Sequence, residues 1–130
     1  MGDVVRQVGG ERLALTVLLP VGADPHTYEP RPQDVAAIHD ARVVFINGLE
    51  LEHSLEPIIT ANAAGEVIAV SDGIRPIPFA AAGAEEEGAD DPHVWMDPNN
   101  IITWVENIRA ALSEVDPDGA DYYRANAEAY

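Results

Sequence analysis

Apolar residues follow two different rhythms along this chain, and each change of rhythm marks a new element. The run Arg12 to Leu19 (Arg, Leu, Ala, Leu, Thr, Val, Leu, Leu) is mostly apolar and stops at Pro20, which predicts a buried strand. Val43, Val44, Phe45 and Ile46 predict a second strand, ended by Asn47 and Gly48. Glu66 to Val70 predict a third, closed by Ser71, Asp72 and Gly73. The segments between them have helical spacing. Pro32 to Asp40 opens on a proline and sets Val35 and Ile38 on one face. Leu51, Leu55, Ile58 and Ile59 form a second stripe, with Ser54 as a cap, Pro57 near the start and Gly65 past the end. Strands alternating with helices predict an α/β fold with a parallel sheet and right-handed crossovers.

The flanks continue the pattern. Met1 to Gly10 reads as the tail of a helix closed by glycine. Ile101, Ile102, Val105, Ile108 and Leu112 predict the longest amphipathic helix, stopping before Asp116 and Pro117. Asp118 to Tyr130 begins one more helix, with Tyr122, Tyr123 and Tyr130 as an exposed apolar face. Ile74 to Asp90, carrying Pro76, Pro78 and Glu85, Glu86 and Glu87, follows neither rhythm and predicts a mobile loop. At 130 residues the chain is one domain by length.

Composition narrows the chemistry. With 7 Lys+Arg against 23 Asp+Glu, the net charge of −16 repels nucleic acid and anionic lipid and favours the approach of cations. There is no cysteine, so any metal must be held by nitrogen and oxygen donors. No apolar run approaches the roughly 20 residues that span a bilayer, and the first residues lack the features of a signal peptide.

The chemical candidates lie in a repeated phrase. Asp24, Pro25, His26, Thr27, Tyr28, Glu29, Pro30 is echoed by Asp91, Pro92, His93, Val94, Trp95, Met96, Asp97, Pro98. Each histidine follows a proline that fixes the backbone and has an aromatic residue two positions on. In an open parallel sheet such turns lie at the carboxyl edge, where ligands bind. Two neutral imidazoles suit zinc or manganese, although a histidine beside a proline can also be a plain turn residue. His39 and His53 read as surface histidines, Tyr28 and Trp95 as packing residues or shields for an ion, and the triple glutamate as a solvated connection.

Gly22 to Pro30, Val43 to Glu52 with its Asn47, Gly48 and Leu49, and Asp91 to Pro98 together resemble the metal-binding lipoproteins of bacterial ABC importers. That resemblance implies the N-terminal lobe of a two-lobed zinc or manganese receptor, truncated at both ends, with a parallel sheet of about three to four strands. Residues 1–117 would be the lobe, lacking the family's first strand, and residues 118–130 the start of the interlobe helix. His26 and His93 would be the lobe's two metal ligands, with the remaining ligands in a C-terminal lobe.

The implied protein is not an enzyme. It is extracytoplasmic, without its signal segment here, and hands a divalent transition metal to a membrane ABC permease. Zinc is favoured over manganese, although the acidic loop replaces the histidine-rich one of many zinc receptors. No nucleic acid or small organic substrate is expected. An uncovered sheet edge or the last helix could pair two copies. One departure is Ser54, where many relatives carry a tryptophan. Two rivals remain: a zinc hydrolase lobe with Glu29 or Asp97 as base, which lacks a His-Glu-x-x-His helix, and a metal-free adhesion module using the tyrosines.

Overall fold

The structure, a computed structural model, describes residues 1–78 and 90–130. Helix α1 (Gly2–Gly9) closes on Gly10, whose positive φ of 54° suits glycine and whose backbone N–H bonds back to Arg6 O. Helix α2 (Pro32–Asp40) leads into strand β1 (Val43–Ile46), helix α3 (Glu56–Asn62) and strand β2 (Glu66–Ala69). Helix α4 (Pro98–Val115) is the longest element, and α5 (Ala120–Ala129) follows a 3₁₀ turn. β1 and β2 pair in parallel, Val43 opposite Glu66 and Ile46 opposite Ala69, and Val70 N extends the ladder to Ile46 O at 2.9 Å. Parallel strands need a crossover, and α3 with the connector before it supplies one.

Alternation along β1 divides the core. Val43 and Phe45 pack with Val5, Val8, Trp104 and Ile108, whereas Val44 and Ile46 pack with Ile38, Leu55 and Ile59. Helices α1, α4 and α5 therefore cover one face of the sheet and α2 and α3 the other, the layering of an α/β lobe. Each fully buried aliphatic side chain contributes about 1.5–3 kcal/mol of hydrophobic stabilisation.

Four expectations change. The run Arg12 to Leu19 joins no ladder: Arg12 closes a 3₁₀ turn, and the following residues run without regular pairing. Among the described residues the sheet has two strands, not three to four. The apolar sequence does extend, with Leu13 and Leu15 packing on one core and Leu18 and Leu19 on the other. Strand pairing also needs a neighbour within about 4.8 Å. An apolar cavity of about 810 Å³ lies along the run and β1 instead.

Tyr123 is buried, not exposed, and its hydroxyl donates to the Asp116 carboxylate at 2.6 Å. It shares a helical face with Ala127, while Tyr122 and Tyr130 remain outside. Ile102 faces solvent at 66% exposure, and Trp104, at 2%, fills the stripe with Ile108 and Ala111. The expected mobile loop lies mostly outside the described residues. Its ends meet in a bridge between Pro78 and Asp90, and Asp91 N donates to Ile77 O at 2.8 Å.

Asp34 closes the first turn of α2. It accepts the Arg31 N–H at 2.8 Å and the Arg31 guanidinium at 3.0 Å, and the Tyr28 hydroxyl adds a bond at 2.8 Å. The guanidinium, then the backbone N–H, hold this carboxyl far below the ordinary carboxylate range. A lowered folded pKa stabilises the fold above the unfolded value of about 3.9, and that contribution is lost as pH falls toward the folded value. Asp34→Asn therefore flattens the decline in stability below about pH 4, measured by urea unfolding at stepped pH. Ile108→Ala, at a position with no exposed surface, costs about 2–5 kcal/mol in the same assay near neutrality.

Candidate metal centre

The repeated phrase folds into the same local device twice. Asp24 Oδ1 accepts the backbone N–H of His26 at 2.9 Å, and Asp91 Oδ1 accepts that of His93 at 2.9 Å. In each case an aspartate side chain bonds two residues on, across a proline of fixed φ, which sets the direction in which the histidine leaves the backbone. The tertiary fold brings the devices together. The His26 and His93 ring centres are 5.8 Å apart with planes inclined at 58°.

His93 has a further restraint. Its Nδ1 lies 2.7 Å from Asp91 Oδ1. The His93 backbone N–H and then its ring nitrogen hold the Asp91 carboxyl below its usual value, so it is an acceptor near neutrality. Nδ1 of a neutral His93 therefore carries the proton and Nε2 presents its lone pair. The Trp95 ring meets His93 edge-on at 5.2 Å and leans on the buried Trp104 at 6.3 Å, forming an apolar wall beside the imidazole. Tyr28 plays no matching part, since its hydroxyl is engaged with Leu18 O at 3.1 Å and with Asp34.

The connector from Asn47 to Leu55 touches both turns. Asn47, at the carboxyl end of β1, donates from Nδ2 to Pro92 O at 3.0 Å. Ser54 Oγ reaches Pro25 O at 3.4 Å and Tyr28 O at 3.3 Å, so it braces the first histidine turn and does not cap α3. Gly48 has φ 83°, and a Cβ there would stand 2.9 Å from Ala69 Cβ, which leaves room only for glycine. Leu49 and Glu50 continue with φ of 55° and 60°. The buried Glu52 carboxylate accepts the N–H groups of Asn47 at 2.7 Å and Gly48 at 3.1 Å. Burial pushes Glu52 up from its usual value, against the pull of those N–H groups.

The chain in its entirety, residues 1–130, matches the family described as zinc-uptake complex component A, periplasmic. It belongs to that family. It is 44% identical over its full length to the manganese-binding lipoprotein MntA of Halalkalibacterium halodurans, covering 42% of that protein. It is 36% identical to the metal ABC transporter substrate-binding lipoprotein SloC of Streptococcus mutans, covering 44% of it. The Mn-bound periplasmic metal-binding protein of Candidatus Liberibacter asiaticus superposes on 99% of the chain with a TM-score of 0.89 at 34% identity, over 47% of its own length. The chain thus spans less than half the length of the relatives it matches.

Within this zinc-uptake component A fold, the exposed His26 and the half-buried His93 come together, while His39, exposed, pairs through Nδ1 with Asp40 at 3.0 Å and His53 is exposed as well. Among the described residues no group of three His, Cys, Asp or Glu side chains forms a fuller metal shell. Glu85, Glu86 and Glu87 lie outside the described residues. Asn47, Glu52 and Asp91 were legible as parts of motifs but not as partners of the histidines. Their signal is one of type and place: a polar residue ending a buried strand, a carboxylate five positions on, and an aspartate before proline.

Asp91→Ala removes the acceptor for Nδ1 and should shift neutral His93 toward the tautomer protonated at Nε2. Long-range proton–nitrogen NMR correlation of the imidazole ring reads this directly, and an unchanged tautomer would contradict the orienting role of Asp91.

Proposed function

We propose that this chain is the N-terminal lobe of an extracytoplasmic receptor that captures a divalent transition metal and passes it to a membrane ABC permease. The observation that carries the reading is the 5.8 Å separation of the His26 and His93 ring centres, produced by two matching turns far apart in sequence. An ion bound at about 2.0–2.1 Å from each ring nitrogen holds two ring centres at most about 6 Å apart, so one ion fits between these rings. Two imidazoles leave coordination positions open, and a second lobe closing over them would fill the shell and exclude water. Residues 1–117 form the metal-binding lobe, and residues 118–130 begin the helix leading to the other. No bond is made or broken in this cycle.

Several findings support the reading. The family match covers every residue, and the named relatives are a manganese-binding and a metal ABC transporter substrate-binding lipoprotein. For the hydrolase rival, Asp97 is already occupied. Its Oδ1 accepts Asn99 N at 2.9 Å and Asn99 Nδ2 at 2.8 Å as the cap of α4. A pair of these chains, formed through the uncovered side of β1 or through α5, would appear as a doubled mass in sedimentation equilibrium.

Nitrogen donors bind zinc more tightly than manganese whichever metal is the cargo, because affinity follows the Irving–Williams order. Calorimetric titration should therefore rank zinc above manganese for this chain, with both weakened on acidification as protons compete for the imidazole lone pairs. His26→Ala and His93→Ala should each abolish most of the zinc heat. Retained binding in both variants would move the site elsewhere.

A further inference from the structure

We propose that Glu52 is a positioning residue for the histidine pair, acting by locking the connector that holds both histidine turns in register. This role presupposes the metal reading of His26 and His93. The Glu52 side chain touches neither ring. It folds back inside its own connector and takes the N–H groups of Asn47 and Gly48, one on each carboxylate oxygen. Those bonds hold closed a turn with three successive left-handed residues, Gly48, Leu49 and Glu50. A residue other than glycine is strained in the left-handed region, so the turn persists only when something over-determines it.

The turn also holds Asn47 in a conformation that is expensive in isolation. Asn47 is 2% exposed, and among the described residues its Oδ1 has no hydrogen-bond partner. A buried unpartnered oxygen is destabilising, an expense that plain strand termination does not require. The Nδ2 on the same amide bonds Pro92 O, one residue before His93. At the far end of the connector, Ser54 Oγ reaches the carbonyls of Pro25 and Tyr28 on either side of His26. One short segment therefore grips each turn beside its imidazole. A carboxylate that fixes the shape of that segment also fixes the separation of the rings.

The same logic accounts for the residue type. Two convergent backbone N–H groups buried from water need a group that accepts twice and donates nothing, which an ionised carboxylate does and an amide does not. Glu52→Gln retains one of the two bonds, and Glu52→Ala removes both.

The test compares zinc affinity at matched loss of stability. Glu52→Ala should lower zinc affinity about tenfold or more, the usual scale for residues that orient a ligand without touching the metal, with Glu52→Gln falling between it and the parent. Ile108→Ala, buried in the core among α1, α4 and α5, serves as the control: it lowers the unfolding midpoint and leaves zinc affinity unchanged. Independently of metal, the nuclear Overhauser contact between the His26 and His93 rings should weaken in Glu52→Ala and persist in Ile108→Ala. Equal affinity loss in Glu52→Ala and the control, or an intact ring contact in Glu52→Ala, overturns the positioning role. If Glu52→Ala does not fold, Glu52→Gln and Asn47→Ala carry the same comparison, and parent-like zinc affinity and ring contact in both overturn the proposal. Failure of His26→Ala to weaken zinc binding would instead overturn the metal reading itself, so the two failures are separable.

Discussion

A single buried amide, Asn47 Nδ2, ties the end of the first paired strand to the carbonyl that precedes His93, and the histidine geometry depends on that tie. Without it the second turn would be held by its own aspartate, by the Asp91 N to Ile77 O bond, by the packing of Val94 and Trp95 and by the start of α4. With it, the turn is referenced to β1, which is paired on one side and packed on both faces. The first turn is referenced to the same connector through Ser54. Two loops that would otherwise move independently share one frame, as a site built from rigid elements requires.

The local and tertiary contributions to the site differ in kind. Each Asp-Pro-His phrase carries its own Asx bond, so the angle at which each histidine leaves the chain is set within a few residues. Asp91 also selects the ring nitrogen that faces outward. None of this brings the rings together. Their approach to 5.8 Å follows from the parallel pairing of β1 and β2 and from the helices packed on either face, which collect the connecting loops at the carboxyl edge. The overall charge of −16 favours the approach of cations, but at physiological ionic strength it acts over only about 8 Å, so local geometry decides where an ion is held.

Much of the fold was readable because burial and period coincide. β1, β2, α2, α3 and α4 occur where the apolar spacing placed them, and α1 ends at Gly10, where the glycine predicts a stop. The failures share a physical cause. Residues 13–19 are apolar enough for a strand, but a strand is defined by a hydrogen-bonded neighbour, and none stands beside them among the described residues. Tyr123 and Ile102 were misplaced because helical periodicity defines a stripe without defining which of its borders meets the core.

The sequence alone determined the donor types, since with no cysteine only nitrogen and oxygen remain, and it determined the two turns, since each is stabilised within its own phrase. Only the tertiary structure decided that His26 and His93, and not His39 or His53, face each other, and that Ser54 braces a turn where its spacing suggested a helix cap. The reason is range. An Asx bond closes over two residues and leaves a mark in a short motif. A contact such as Asn47 to Pro92 joins residues brought together by the packing of the sheet and its helices, and no local pattern encodes it.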